Sequence, residues 1–166
     1  MMDPNPLLKM PLFVGLTEQQ LSAIVEAGRR VKIPTGQPII KEGEMSDSLF
    51  ILLTGSVQVT KHLGRSIGIQ MDETKQKTLV SLSAPMFFGE MGLLETAERS
   101  ATITAAAPCE LVEVTKADFD RVAEEDLELG YRLARNVAMV LSSRLRNTDK
   151  DVLKLTLALS LALGNR

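Results

Sequence analysis

The spacing of apolar and polar positions divides the chain into three stretches with different periods. The first, "PLFVGLTEQQLSAIVEAGRR", carries Leu21, Ile24 and Val25 as a stripe at helical spacing. Thr17 precedes the stripe and Gln20 follows it by three residues, the pair that closes a capping box, so a helix is predicted to begin there. Through 31–114 the period shortens. Runs such as "VKIP", "QPIIKEG", "SLFILLTGSVQVT", "IGIQ", "KTLVSLSAP", "SATITAAAP" and "CELVEVT" alternate with glycine and proline, the signature of an antiparallel sandwich or barrel. Thr54-Gly55 divides two strand-like runs and predicts a hairpin turn. The polar second half of "GRSIGIQMDETKQKT" predicts a long exposed hairpin tip.

Beyond Thr115 the pattern turns helical again. "KADFDRVAEE" reads as a short helix, and "DLELGYRLARNVAMVLSSRLRN" places Leu129, Leu133, Val137, Leu141 and Leu145 four apart on a long amphipathic one. The leucines of "DVLKLTLALSLALGNR" alternate as in a strand, yet Leu153, Leu157 and Leu161 also share a helical face. Leucine and alanine favour helix, which is the prediction for this tail.

Composition narrows the class. In 166 residues, 45% are hydrophobic and 24% charged, enough for one domain with a sizeable core. A net charge of −2 argues against a surface built to hold a nucleic-acid backbone. The one cysteine, Cys109, excludes an internal disulfide and suits a reducing compartment. No export signal is visible, and the apolar-rich stretch 152–163 is too short to span a bilayer, so a soluble cytoplasmic protein is expected, with no membrane partner. A metal enzyme on a small barrel needs clustered histidines; here His62 stands alone at a predicted loop, and Cys109 reads as a buried thiol. No catalytic residue, metal ligand or cofactor is assigned.

The stretch "FFGEMGLLETAERSAT", 87–102, is the exception to core patterning. Gly89 opens backbone conformations closed to other residues, and amides in a short turn form a nest for an anion. Arg99 offers a planar fork for two phosphate oxygens, and Ser100 adds a hydroxyl and an amide. Glu90 would repel a phosphate but can accept from sugar hydroxyls. Together they describe a nucleotide monophosphate pocket in a β-barrel. A structural ion pair between Glu90 and Arg99 is the competing reading from spacing alone.

Several segments taken in order resemble the cyclic nucleotide-binding domain family, the module of catabolite activator proteins and of regulatory subunits of cyclic-AMP-dependent kinase. The resemblance runs over about 11–145. It includes "PLFVGLTEQQL", the glycine turns Gly36, Gly43 and Gly55, and the Phe-Gly-Glu cassette, in which eight residues separate Glu90 from Arg99. It implies an antiparallel β jelly-roll, or double-stranded β-helix, with N-terminal helices and a long C-terminal helix serving as lid and dimer interface. The implied organisation is a lead-in over 1–30, the β-roll with its cassette over 31–115, C-terminal helices with the lid over 116–147, and a leucine-rich tail over 148–166.

It also implies site roles. Glu90, helped by the Gly89 amide, would bind the ribose 2′-hydroxyl. Arg99, Ser100 and the Ala101 amide would bind the cyclic phosphate, with Met91 lining the cassette. On the lid, Ser143 and Arg144 (with Ser142) would face the base, or else stand as solvated polar positions. The ligand would be cyclic AMP, alternatively cyclic GMP. A homodimer through Leu133, Val137, Leu141 and Leu145, an unidentified protein partner and no direct DNA binding complete the expectation. Two alternatives are the effector-binding fragment of a catabolite-activator-type regulator, and a scaffold that has lost its ligand.

Overall fold

The computed structural model describes residues 5–62 and 76–164. The lead-in consists of α1 (Asn5–Leu8), a 3₁₀ turn (Pro11–Phe13) and α2 (Glu18–Ala27). The strands are β1 (Arg29–Ile33), β2 (Pro38–Ile40), β3 (Met45–Ser46), β4 (Ser48–Thr54), β5 (Ser56–His62), β6 (Gln76–Ser83), β7 (Met86–Phe88), β8 (Ala97–Glu98), β9 (Thr102–Ala105) and β10 (Cys109–Thr115). Helices α3 (Lys116–Glu125) and α4 (Leu127–Gly164) close the chain. Both short helices start as their sequences dictate. Thr17 with Gln20, and Thr115 with Asp118, form reciprocal capping boxes that satisfy the first amides.

Two four-stranded sheets, ordered β1-β10-β4-β7 and β2-β9-β5-β6, face each other, with a small β3-β8 ribbon at one end; all pairings are antiparallel. This is the mainly β jelly-roll with flanking helices that the sequence predicts. Phe50, Leu52, Val57, Phe88, Ile103 and Leu111 fill the space between the sheets. Leu49, Ile51, Val112 and Val114 face the other way and bury against Leu12, Phe13, Leu21, Ile24, Leu129 and Leu133 of the helices. Strand β4 is therefore buried on both faces, which explains its continuous apolar run.

Thr54-Gly55 is not a hairpin turn. Strand β4 pairs with β10 and β7, whereas β5 pairs with β9 and β6, so this point is a corner where the chain changes sheets. Gly55 has φ +94°, and an added Cβ would lie 2.4 Å from the Pro108 carbonyl oxygen. Glycine is needed there for both reasons. Strands β5 and β6 form the predicted hairpin, in register from Ser56↔Ser83 to His62↔Gln76. Its tip, 63–75, with the "IGIQ" run, lies outside the described residues. Cys109 begins β10 as a buried thiol directed at the carbonyls of Ser56 and Ala107, and burial pushes its pKa up, away from nucleophile chemistry.

Helix α4 runs unbroken through 38 residues, so lid and leucine-rich tail are one element with no division at 147/148. Leu129, Leu133 and Val137 are buried in the domain's own helical core. The buried Asn136 amide donates to the Leu12 and Val14 carbonyls, both at 2.9 Å, and Arg132 donates to the Gly15 carbonyl at 3.1 Å. This corrects the expected dimer face: Leu133 and Val137 cover the chain's own lead-in and are not free to meet another copy. Leu145, by contrast, is 63% exposed.

Candidate functional site

The site starts where β7 ends. Gly89 takes the left-handed conformation (φ +80°, ψ 18°) and turns the chain into a short 3₁₀ turn, Glu90–Leu93. A Cβ at Gly89 would lie 2.6 Å from Arg99 Nη1, and one at Gly92 would press on the Ser48 backbone at 2.8 Å. Glycine at both positions lets the turn lie directly on β4 and on the arginine.

Arg99 follows β8 and is held at both backbone and head. Its amide donates to the Glu44 carbonyl and its carbonyl accepts from Gly43, each at 2.9 Å. Nη2 donates to Ser46 Oγ at 2.6 Å, the Ser48 carbonyl at 2.7 Å and Ser48 Oγ at 2.9 Å. The guanidinium lies over the Phe50 ring, 5.8 Å from its centroid. Burial pulls its pKa down, while the charges of Glu113, Asp47 and Glu90 act in the opposite sense. An arginine in this setting remains a cation. These contacts hold one side of the guanidinium and leave Nε without an acceptor among the described residues. The amides of Ser100 and Ala101 likewise donate to no protein acceptor there.

Glu90 is wholly buried, and neither carboxylate oxygen has a hydrogen-bond partner. Its ion pair is with Arg144, not Arg99: Arg144 Nη1 of α4 touches Oε1, though without the alignment of a hydrogen bond. A buried carboxylate needs a compensating charge, and the Arg144 guanidinium supplies it here.

The residues singled out by sequence thus separate. Gly89, Glu90, Arg99 and Arg144 come together, while Ser100 and Ala101 follow the arginine at the surface of the same turn. Met91 is half exposed. Ser143 lines a cavity on the other side of β7, together with Phe87. Sequence reasoning missed Ser46 and Ser48, which orient the arginine. Their signal was two serines a residue apart, entering an apolar strand where alternation puts both on one side.

The family model for the cyclic nucleotide-binding domain matches residues 30–126. The chain belongs to this family. It is 32% identical over 146 residues to the cyclic AMP receptor protein of Thermus thermophilus, covering 86% of this chain and 60% of that protein. A cyclic nucleotide-gated potassium channel of Mesorhizobium japonicum is also 32% identical, over 72% of this chain and 30% of the channel. The crystal structure of the Thermus thermophilus catabolite activator protein superposes with a TM-score of 0.74 at 31% identity, over 88% of this chain and 63% of that one. The chain therefore spans 60% and 30% of the lengths of these two curated relatives. No helix among the described residues is long and apolar enough to cross a membrane.

Proposed function

We propose that this domain is a non-catalytic sensor that binds a cyclic purine nucleotide, cyclic AMP in preference to cyclic GMP, and passes its occupancy through α4 to a partner. The Glu90 carboxylate carries the reading: it is buried, it is held by an ion pair with Arg144 of the lid helix, and the residue before it, Gly89, touches an arginine anchored on one side. The ribose 2′-hydroxyl donates to Glu90. Arg99 with the amides of Ser100 and Ala101 takes the phosphate, the Gly89 amide supports the ribose contact, and Met91 lines the wall. The base meets the lid at Arg144, whereas Ser143, also expected there from the sequence, lines the cavity on the other side of β7. Charge-assisted hydrogen bonds of about 1.5–3 kcal/mol each reach micromolar affinity, ~8 kcal/mol, with only a few such contacts. The name of the Thermus relative supports cyclic AMP.

Because solvent does not reach Glu90, the ribose engages it only after Arg144 withdraws. Binding then shifts α4 by as much as the nucleotide's differential affinity for the two lid positions allows. The proposed homodimer leaves Leu133 and Val137 to the domain's own core and keeps Leu145 of the row predicted by sequence. Leu127, Tyr131, Ala138, Leu145, Val152 and Leu159 are exposed members of a series of alternating four- and three-residue steps from 127 to 162, the heptad seam of a two-stranded coiled coil, in which Leu141 also packs on the domain's core. The domain works in the cytoplasm, where Cys109 stays a free thiol. A second reading rests on length: the chain matches the effector-binding part of a longer catabolite-activator-type regulator, and DNA contact is then left to residues beyond this domain.

Calorimetric titration with cyclic AMP and cyclic GMP tests the reading. The expected result is saturable micromolar binding of the first and weaker binding of the second. Heats that stay flat with both nucleotides at millimolar concentration would remove it.

A further inference from the structure

A second cavity, of about 560 Å³, opens on the face of β7 away from the barrel interior. Strand alternation sets it on the other side of β7 from the cassette, with Arg144 of α4 bordering both. Phe88 points inward and stacks on Phe50, 5.6 Å between centroids, whereas Phe87 lines this outer cavity. Its floor is apolar, made by Pro11, Val14, Phe87, Met139 and Val140. Around it stand Lys9, Arg135, Arg144 and Arg146, with no carboxylate in the lining. Among the described residues no acid pairs with Lys9, Arg135 or Arg146.

We propose that this cavity is a binding site for an amphipathic organic anion, a carboxylate carried on an extended apolar chain. The volume falls within the range of small-molecule sites. The charge excludes a cation and a neutral lipid alike as the preferred occupant. An apolar floor rimmed by cations on a helix and a facing loop matches an apolar body with one anionic end. Arg135 and Arg146 lie about 16 Å apart along the helix axis, which gives the chain room to extend between the loop and α4. Of its helix residues, Ser143 lies opposite the heptad series, Met139 and Arg146 stand to one side of it, and Arg135 flanks it. Nothing in this assignment requires the cassette to bind a nucleotide.

Titration of the whole chain with dodecanoate below its micelle concentration tests the site. Saturable binding, one molecule per chain, is expected. Acetate, which lacks the chain, and dodecyl maltoside, which lacks the charge, should each bind at least about tenfold more weakly. The R135E/R146E double variant should lose a similar factor, since both side chains are exposed and charge reversal there leaves the fold intact. R99A should bind dodecanoate unchanged, separating this site from the cassette, and so should L157E, separating it from the exposed tail leucines. No binding at millimolar dodecanoate, equal binding of the maltoside, indifference to R135E/R146E, or loss in L157E or R99A would each overturn the proposal. So would capture of the chain by vesicles of anionic phospholipid with no uptake of free dodecanoate.

Discussion

The two ends of α4 carry the same kind of pattern and meet opposite fates. In the first half, Leu129, Leu133 and Val137 stand four apart and are sealed in the domain's core. In the second, Leu153, Leu157 and Leu161 stand four apart and are each more than half exposed. Periodicity states that a face is meant to be covered; it does not name the cover. The lead-in supplies it for the first half through Leu12 and Phe13, fixed by the Asn136 amide, and among the described residues nothing comparable covers the second.

That contrast can be broken at its strongest point by truncation. Leu133→Ala should destabilise the domain by about 2–5 kcal/mol through a cavity in the core, whereas Leu157→Ala should stay within roughly 0.5 kcal/mol in dilute protein. Urea denaturation of the two variants compares them directly, and equal losses would mean that the tail is packed as tightly as the lid. At the pocket, Arg99→Ala should weaken cyclic AMP by roughly 2–5 kcal/mol, because it removes a cation from a partly buried anion site. Glu90→Ala should cost less, since it serves hydroxyls; a reversed order in calorimetry would show the roles to be misassigned. Asn136→Ala leaves the Leu12 and Val14 carbonyls without their donor and should cost about 1–3 kcal/mol, read as a lower midpoint of denaturation.

Thr115→Ala sharpens the comparison at the entry to the helical half. Burial pushes the Asp118 carboxyl up, but hydrogen bonds from the Thr115 hydroxyl and amide, with Arg121 beside it, bring its pKa below the ordinary aspartate value. A folded pKa held below the unfolded one contributes stability above the unfolded value, ~3.9, and loses it as pH falls through the folded one. The variant should therefore cost about 1 kcal/mol at neutral pH, with the difference shrinking below pH ~4. A pH-independent difference would show that the cap does not depend on the carboxylate. Finally, Leu145→Glu with Leu155→Glu should convert the proposed dimer to a monomer by light scattering while leaving monomer stability nearly unchanged, because both positions are exposed in the single chain.

What was legible in the sequence follows from how local the cause is. The Thr17 capping box needs only four residues, and the cassette needs sixteen, so both could be read directly. The corner at Gly55 could not, because two strands joined by one glycine look alike whether they pair with each other or with distant partners. The clamp on Arg99 depends on Ser46 and Ser48, and the ion pair on Glu90 depends on Arg144; each reaches across about fifty residues that only the folded sheet brings together. Leu133 and Val137 were misjudged as a free face for a related reason: their row is the one that the chain's own lead-in covers.

The continuity of α4 has a mechanical consequence. From Arg144 to the end of the helix at Gly164 the rod extends about 30 Å at 1.5 Å per residue. Pivoted near Arg144, it acts as a pointer with a long arm. A swing of about 6° displaces the tip by roughly 3 Å, a distance comparable to half a helical turn. In the proposed mechanism, an adjustment at the pocket no larger than the exchange of one guanidinium for one hydroxyl would be magnified at the far end of the helix, with no joint along the way to absorb it.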